Sequence, residues 1–502
     1  MAKKKRTNRA SSSLANRRIE NGKIKSPLSS FSVPISWKSW KDAELPTVLW
    51  LCLLTTLDSR DQYLQLFRET SLAAYKAFGS NREGSLHHSF LATLSDAQFA
   101  TLTAPLRRSK EAARVLSCLS VLDCLPDGMH WRKYFPINDS QDEETLWDTL
   151  VDAVGRNLFH QSEAAADVRW CKAFHVLISG RMHFSPHLSD RERCIREYPN
   201  RGDMKSVRPS IRAMEMSFRE ESLFEMYPDR SVPRFPVETF WQEVFDRTVC
   251  VPLSLKEETN QDISPEALLA ELQTLRDALI GNFVEALIQS KVDARLDSSF
   301  GLVFYSLHIT AEALVFGAHY GIHGRLSLRT LVEATIVLSY LRMKDDPLLW
   351  NQYRKYGSGR MALTFLKLLD SDELPSYVSL EILEELANED GWFELQDIDI
   401  GSWAKKNLRQ IAIEGGRKDI YDRFYEDVSG YVHGQWSAIQ QSIFTTCANP
   451  LHRYHRIPIR VGRMHSTLKD ACSLLNVQLE ELSRLYSLTR LRIKSHKPEP
   501  NT

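Results

Sequence analysis

The sequence predicts an all-α protein in which an N-terminal multi-helical region is followed by a C-terminal helical bundle. Apolar residues recur at helical spacing over most of the chain beyond residue 30, and alternating runs between turn dipeptides are nearly absent. Glycine (21) and proline (20) are scarce among the 502 residues, of which 43% are hydrophobic. This composition is sufficient for sizeable cores, and it excludes collagen-like, turn-dense β and wholly disordered chains.

Composition divides the chain into five segments. Residues 1–30 form a basic tail without apolar periodicity, which we expect to be disordered. Residues 31–250 are the N-terminal helical region, and residues 251–264 are a polar linker that follows several X-Pro pairs. Residues 265–492 are the predicted helical bundle, and residues 493–502 are a second disordered tail.

Capping signals locate helices in the N-terminal region. Ser59 precedes a predicted helix over residues 60–78, whose apolar side chains recur every three or four positions. Ser140 and Glu143 form a capping box ahead of a predicted helix over residues 144–154.

Prolines locate two further helices, because proline is favoured at the first helical position. Pro209 predicts a helix over residues 210–219. Ser264 and Pro265 predict the start of a long amphipathic helix that continues to about residue 290.

The cysteines predict buried thiols in a reducing cytoplasm. None of the eight forms a C-x-x-C pair, so neither a zinc knuckle nor a thioredoxin-type motif is predicted.

Residues 1–25 lack the apolar segment of a signal peptide, and residues 45–57 are too short to span a bilayer. Residues 301–324 are long enough, but Glu312 and the polar interruptions favour a buried helix. We therefore expect a soluble cytoplasmic protein that has no membrane partner.

Charge is neutral only on average, with 64 Lys and Arg against 64 Asp and Glu. Residues 1–25 hold nine basic residues against one acid, a net charge of +8, and residues 451–502 hold ten against four, a net charge of +6. The body between them carries the balancing −14. Such segregation favours a nucleic-acid partner, with RNA preferred, although a solubilising tail and protein partners remain alternatives.

Four residues could form a metal site if residues 308–323 were one straight helix. His308, Glu312, His319 and His323 would then lie within roughly 60° of one another around the helix axis. Glycines interrupt this stretch before His323, so an i, i+4 pair of ligands is left without an obvious third and fourth, and core or interface histidines are the favoured interpretation. We predict no metal and no cofactor.

Two helices carry the candidate polar cluster. A predicted helix over residues 326–343 places Arg329 and Glu333 at i, i+4 among apolar residues, where charges need partners. A second predicted helix, over residues 421–436, places Tyr425, Ser429 and His433 on one stripe. If Glu333 orients His433, the imidazole could act as an acid or a base near neutral pH. The favoured alternative is a hydrogen-bond network that fixes the register of the helices.

The Arg-x-x-x-Glu helix, Trp403 and the Ser-x-x-x-His helix resemble the bacterial helical family catalogued as domain of unknown function 5677. The resemblance covers residues 270–445 or thereabouts. It implies that Arg329, Glu333, Ser429 and His433 are positions of interest, and it brings no settled activity.

The chain is also similar in fold pattern to the HEPN helical bundles, whose ribonucleases use arginine and histidine four to six residues apart on one helix. Arg460 and His465 match this spacing. The analogy implies that arginine holds phosphate while histidine assists attack by the 2′-hydroxyl. Pro458 and Gly462 predict loop or the start of a helix here rather than the middle of one.

These residues predict a nucleic-acid-directed helical effector, specifically an HEPN-like ribonuclease in phage defence or with a toxin role. Motifs of P-loop ATPases, dinucleotide dehydrogenases, α/β-hydrolases and zincins are absent from the sequence. The alternative is a non-enzymatic interaction or scaffold protein whose polar cluster is structural; if the protein is an enzyme, a metal-independent ribonuclease is favoured. The catalytic candidates are His433, Arg329, Glu333, Ser429 and His465, and the nucleic-acid-binding candidates are Arg453, Arg456, Arg460 and Arg463.

Overall fold

The structure, a computed structural model, confirms the all-α class. It describes residues 18–20, 23–25, 39–78, 84–138, 141–182, 184, 189–217, 233–253, 264–286, 293–369, 371, 373–388, 402–459, 464–489 and 491–494. The chain forms two compact units. Unit 1 comprises residues 1–251 and 447–455, and unit 2 comprises residues 252–446 and 456–502. The return of residues 447–455 to unit 1 was not predicted from the sequence.

Unit 1 contains eleven α-helices and one short strand pair among its described residues. The strands β1 and β2 pair antiparallel within the segment that was predicted to be a disordered tail. The helices are α1 Leu49–Leu54, α2 Arg60–Phe78, α3 His88–Leu91, α4 Asp96–Arg108, α5 Lys110–Leu116, α6 Gly128–Tyr134, α7 Glu143–Leu158, α8 Glu163–Ile178, α9 Ser189–Arg196, α10 Met204–Ser217 and α11 Val237–Asp246; the strands are β1 Arg18–Glu20 and β2 Lys23–Lys25.

Helix α1 lies at the centre of the unit 1 core. All six of its side chains are fully buried, and it packs against α5, α7 and α8. The Trp50 indole donates a hydrogen bond to the Leu86 carbonyl oxygen (2.8 Å), so its one polar atom is satisfied. The apolar run that includes α1 is therefore a core segment, as its length predicted.

Asp167 on α8 is a buried polar contact between elements of unit 1. Its carboxylate has no exposure to water, and Arg60 approaches it in a bidentate pair at 2.8 Å for both contacts. The hydroxyls of Tyr63 and Tyr198 donate to it at 2.7 and 2.5 Å. The Asp167 hydrogen bond is the main cause of a raised Arg60 pKa, and burial is the main cause of a raised Tyr63 pKa. The site thus joins α2, α8 and the segment after α9.

Unit 2 contains ten α-helices and a second strand pair among its described residues. The helices are α12 Pro265–Ala286, α13 Ala294–Val315, α14 Ile322–Lys344, α15 Pro347–Leu369, α16 Leu380–Ala387, α17 Leu408–Glu414, α18 Lys418–Ile420, α19 Glu426–Val432, α20 Trp436–Ile443 and α21 Leu468–Tyr486; the strands are β3 Phe444–Thr446 and β4 Arg456–Pro458, which pair antiparallel. A π-helical turn, Tyr421–Tyr425, precedes α19.

Helix α14 is the central helix of unit 2. It packs against α13, α17, α19 and α21, so most of its surface is covered by protein. At Gly415 the chain after α17 approaches so closely that a Cβ atom would lie 2.9 Å from the Tyr340 backbone nitrogen. Only glycine permits this contact, which fixes the end of α17 against α14.

Glu481 on α21 is the buried carboxylate of unit 2. It has no exposure to water and is paired with Arg342 of α14 and with Arg417, the residue before α18. Arg417 Nε also donates to the Ser339 hydroxyl at 3.0 Å. Beside this group, Gln478 Nε2 donates to the Thr335 hydroxyl at 2.9 Å, which gives the α14–α21 interface a second polar contact.

The structure tests the predicted helix boundaries. The helix over residues 60–78 is confirmed, as is the Pro265 start, where the Ser264 hydroxyl accepts from the Ala267 N–H (3.3 Å). The capping prediction for α7 was wrong, because Asp142 is the N-cap and accepts from the Thr145 N–H (2.8 Å). Ser140 lies outside the described residues.

The Pro209 prediction was also wrong, because α10 begins at Met204 and carries Pro209 as its sixth residue. As the sixth residue, Pro209 lies just beyond the four N–H groups that lack an intrahelical partner, so it removes one i→i−4 hydrogen bond from the second turn.

Among the described residues, α13 is the one helix long and apolar enough to cross a membrane by length and composition. It is a weak candidate. Phe300, Val303 and Leu307 are buried in the unit 2 core, and the Thr310 hydroxyl bonds back to the Ser306 carbonyl oxygen (2.8 Å). These contacts are those of a helix that packs on one side against a protein core.

We expect Asp167→Asn to lower the free energy of unfolding by about 3 kcal/mol, because it breaks a buried ion pair and places an amide N–H₂ against donors. Urea denaturation followed by circular dichroism measures the loss. Asp152→Asn is the control, since Asp152 forms an exposed i, i+4 pair with Arg156 in the same unit and should cost less than about 1 kcal/mol. Equal losses in the two variants would contradict the assigned role of Asp167.

Candidate functional site

Arg329 and Glu333 lie on the central helix α14 and form the predicted i, i+4 ion pair. Arg329 Nη1 is 2.5 Å from Glu333 Oε1, and the two side chains are 12% and 45% exposed. The contact does not have hydrogen-bond geometry, and the buried Nε and Nη1 atoms make no hydrogen bond to the described residues. Glu333 therefore neutralises the arginine while remaining open to water itself.

An aromatic pair covers the other side of Arg329. The guanidinium carbon lies 3.9 Å from the centroid of the Tyr425 ring, and that ring stacks on Tyr421 at 4.5 Å with an interplanar angle of 16°. A cation over an aromatic face gains electrostatic attraction without using an N–H donor. Burial, reinforced by Tyr425, raises the pKa of Tyr421. We call Arg329, Tyr425 and Tyr421 the arginine–tyrosine stack.

Ser429 and His433 are placed further along the same segment. Ser429 is half-buried on α19, and His433 is the exposed C-cap, whose N–H donates to the Ser429 carbonyl oxygen at 3.3 Å. Among the described residues, no hydrogen bond or ion pair joins either of them to Arg329 or Glu333. Of the predicted stripe, Tyr425 contacts Arg329 on α14. No described contact joins His433 to α14.

Trp403 is a core residue rather than a site residue. Its ring lies 5.9 Å from Tyr340 and 5.1 Å from Tyr353, both as edge contacts. It packs between the two apolar clusters of unit 2. Packing therefore explains why Trp403 accompanies the Arg-x-x-x-Glu and Ser-x-x-x-His helices in the family pattern.

His465 is exposed, and the described residues 464–467 before α21 are not helical, in agreement with the loop or helix start predicted from Pro458 and Gly462. Its neighbours bind the turn before α14. The Met464 N–H donates to the Tyr320 carbonyl oxygen at 2.7 Å, and the Ser466 hydroxyl is 3.0 Å from His319 Nδ1. The structure thus places His465 beside the N-terminus of α14.

A further arginine stands at this helix N-terminus. Arg325 is half-buried, and burial lowers its pKa, while the Tyr431 hydroxyl and Asp427 act in the opposite direction. Its Nη1 also approaches the His319 carbonyl oxygen at 3.5 Å. Because helix N-terminal N–H groups and a cation both attract anions, this end of α14 has positive electrostatic character.

The structure describes two of the four predicted nucleic-acid-binding arginines. In unit 1, the exposed Arg453 pairs with Asp42 at 3.2 Å and lies 4.9 Å from the Trp241 ring centroid. In unit 2, the exposed Arg456 donates to the Thr446 hydroxyl at 2.5 Å. Arg460 and Arg463 lie outside the described residues, so the Arg460–His465 spacing stays a prediction.

The histidines of residues 308–323 occupy three different elements. Helix α13 ends at Val315, and Gly317 adopts a left-handed conformation (φ 62°). His308 Nε2 pairs with Glu312 at 3.1 Å on α13, whereas the buried His319 lies in a 3₁₀ turn. The glycine break predicted from the sequence is confirmed, and with it the straight-helix arrangement of metal ligands is lost.

Sequence analysis missed a group of four residues in unit 1. Cys250, Cys447, His452 and His455 place their four ligand-type atoms within 4.8 Å of one another. Cys447 and His452 are buried, His455 is half-buried and Cys250 is exposed. Burial, with His455 nearby, lowers the pKa of His452, which favours its neutral imidazole. We call this group the Cys–His cluster.

One sequence signal could have indicated the cluster. Residues 447–455 hold one cysteine and two histidines, a dense set of potential ligands. A search for two nearby cysteines fails, because the second cysteine comes from residue 250. Only the folding of residues 447–455 into unit 1 reveals the fourth ligand.

Comparison with protein families gives one match. A family model described as "Family of unknown function (DUF5677)" matches residues 315–449. The resemblance predicted from the Arg-x-x-x-Glu and Ser-x-x-x-His patterns is confirmed for that part of the chain, which includes α14 and α19. The comparison with curated proteins found no match, and neither did the comparison with solved structures. These comparisons give no support to the HEPN analogy.

We expect Tyr425→Leu to lower the free energy of unfolding by about 1 kcal/mol, because it keeps an apolar side chain but removes the cation–π contact with Arg329. Thermal and urea denaturation of the full-length protein measure the loss. Tyr377→Leu is the control, since Tyr377 is 88% exposed in the same unit. An unchanged Tyr425→Leu protein would mean that the stack does not stabilise unit 2.

Proposed function

We propose that this protein is a cytoplasmic, nucleic-acid-directed effector of helical architecture, with RNA as its favoured ligand. The observation that carries the proposal is the charge distribution, +8 over residues 1–25 and +6 over residues 451–502 in a chain whose formal net charge is zero. Basic segments of this kind release counterions when they bind phosphates, which provides affinity without sequence specificity. The acidic body would repel phosphates, so nucleic acid would bind at the basic segments rather than over the rest of the surface.

Two features of unit 2 support a nucleic-acid contact on α14. Its N-terminal end combines Arg325 with orphan backbone N–H groups, an arrangement suited to a phosphate. Four residues beyond Arg325, the arginine–tyrosine stack presents half-buried aromatic rings. Aromatic rings beside arginine suit unpaired bases, because every base can stack.

The catalytic form of the proposal is an HEPN-like ribonuclease acting in bacterial phage defence or as a toxin. His433 and His465 are the acid–base candidates, since both are exposed and imidazole can exchange a proton near neutral pH. His465 is the better placed of the two, because its neighbours adjoin the N-terminus of α14. Arg325 would then hold the phosphate at which the bond breaks.

Labelled RNA and DNA, offered to the full-length protein at low and moderate salt, test the binding. We expect RNA affinity to fall by at least about tenfold between 50 and 200 mM salt, because several phosphate contacts are screened together. Removal of residues 1–25 should weaken binding and flatten this salt dependence. Binding that is unaffected by salt and by loss of the tail would contradict the electrostatic proposal.

Cleavage is tested in the same assay with His433→Ala and His465→Ala. Loss of an acid–base group costs roughly 10²–10⁴-fold in rate, so the variant at the true site should be almost inactive. His308→Ala is the matched control, an exposed histidine on α13 whose Nε2 pairs only with Glu312 among the described residues. RNA binding without cleavage would reject the ribonuclease and leave a binding protein.

A second candidate function is a non-enzymatic interaction protein in which the polar cluster is structural. The packing of Arg329 between Glu333 and the Tyr425 ring favours it, because an arginine held on two sides stabilises the contact between α14 and the segment before α19. In this case partners would bind elsewhere on the helical surface.

Glu333→Ala separates the two candidates. Because Glu333 is half-exposed, we expect it to stabilise the fold by only about 1 kcal/mol, less than a fully buried pair would. Melting temperature and RNA cleavage are measured together, with Glu312→Ala as the control for an exposed i, i+4 pair. Activity that falls only as far as stability falls supports the structural role, whereas a folded, equally stable and inactive protein would support chemistry at this position.

A further inference from the structure

The Cys–His cluster has the composition and spacing of a zinc site. Cys250 Sγ lies 3.4 Å from His452 Nδ1 and 3.3 Å from His455 Nε2, and Cys447 Sγ lies 3.5 Å from His452 Nδ1. A tetrahedral zinc ion with Zn–S bonds of roughly 2.3 Å and Zn–N bonds of roughly 2.0–2.1 Å requires sulfur–nitrogen separations of about 3.5 Å. The three distances match the edges of that tetrahedron.

Hydrogen bonds around His452 select the tautomer that a metal needs. The Thr248 hydroxyl donates to the Val244 carbonyl oxygen at 2.6 Å, so its lone pairs are left to accept. His452 Nε2 lies 2.9 Å from that hydroxyl oxygen and donates to it as N–H. The proton therefore resides on Nε2, and the lone pair of Nδ1 points at the two sulfur atoms. Such an outer hydrogen bond is the usual companion of a metal-binding histidine.

The backbone between the ligands is held in a costly conformation. Arg453 and Tyr454, the two residues between His452 and His455, both adopt left-handed conformations (φ 52° and 55°) although neither is glycine. Each costs roughly 1 kcal/mol or more, and such strain persists only where the surroundings impose it. The Cys447 N–H donates to the His455 carbonyl oxygen at 2.9 Å, which closes this loop and returns His455 to the side of the cysteines.

The segment at residue 250 is hydrogen-bonded to the same loop. The Ala448 N–H donates to the Val251 carbonyl oxygen at 2.6 Å, and Asn449 Nδ2 donates to the Val249 carbonyl oxygen at 3.1 Å. The Phe245 ring, near the end of α11, makes a tilted contact with His452 (ring centroids 4.5 Å apart) and an edge contact with His455 (5.4 Å). Both chain segments and both imidazole rings are thus positioned before any ion binds.

We propose that Cys250, Cys447, His452 and His455 bind one zinc ion in a structural, tetrahedral site. Two thiolates and two imidazoles are the donors that zinc prefers, whereas magnesium and calcium require oxygen ligands. On binding, both thiols lose their protons to solvent, since the thiolate is the ligand. Four protein ligands leave no coordination position for substrate or water, so the site is not hydrolytic.

The ion would stabilise the folding of residues 447–455 into unit 1. Between Cys250 and Cys447 the chain includes all of residues 252–446, so closing this loop has a high entropic cost. A zinc ion that holds both cysteines offsets part of that cost, because its binding energy is available only to the folded arrangement. The role is independent of whether the protein binds RNA.

Metal content of the full-length protein, purified without a polyhistidine tag or chelator, is the first test. Elemental analysis should find about one zinc per chain, and Cys250→Ser should reduce this at least about tenfold, because a thiolate is lost. Cys250 is exposed, so its replacement should leave the fold intact. Cys124→Ser is the matched control, since this half-buried cysteine lies in unit 1 outside the cluster, and it should retain the zinc.

Cobalt(II) added to the chelator-treated wild-type protein gives a second measurement that needs no variant. Tetrahedral coordination of cobalt should produce strong visible absorption together with a thiolate-to-cobalt charge-transfer band. Added zinc should displace the cobalt and abolish both bands. Removing the ion with chelator should also lower the melting temperature. A protein without bound zinc that gives only weak octahedral cobalt absorption would overturn the proposal, as would a Cys250–Cys447 disulfide found by mass spectrometry.

Discussion

In each unit a carboxylate that water does not reach joins several helices. Asp167 and Glu481 are both fully buried, and a buried carboxylate is tolerable only when cations and hydroxyl groups neutralise it. In unit 1 this requirement brings α2 and the segment after α9 onto α8. In unit 2 it brings α14 and the residue before α18 onto α21. A shift of any of these helices by one residue would leave a charge unpaired, so the carboxylates determine register as well as contact.

The same requirement distinguishes Arg342 from Arg329, two of the three arginines of α14. Arg342 is paired with Glu481, whose carboxylate has no exposure, so a solute cannot replace that partner. Arg329 is paired with Glu333, which is 45% exposed, and its second contact is the face of an aromatic ring. An external anion can therefore compete with Glu333 for Arg329 but not with Glu481 for Arg342. Of these two arginines, Arg329 is therefore the one that could exchange a structural contact for a ligand.

The sequence predicted features that depend on a few neighbouring residues. The α2 boundaries and the Pro265 start of α12 were correct, because local capping and helical periodicity determine them. The stripe of residues 421–436 was only partly correct, since a π-helical turn precedes α19, and α19 ends at Val432. Periodicity assumes a uniform helix and gives no sign of the π-helical turn. The early end did have a signal that the prediction did not use, because Gly434 follows the C-cap His433 in a left-handed conformation (φ 58°). The outcome is that Tyr425 contacts Arg329, whereas no described contact links His433 to it.

The Cys–His cluster shows most clearly what local patterns cannot provide. A zinc knuckle is recognisable because its cysteines are close in sequence. Here Cys250 is separated from the returning segment by the whole of residues 252–446. Three ligands in residues 447–455 cannot close a tetrahedron, so their density alone implies no particular metal. The left-handed pair at Arg453 and Tyr454 explains how two histidines only three residues apart can face one point. That backbone conformation is strained in the absence of a metal. The binding energy of a metal would offset the strain and so explain it physically.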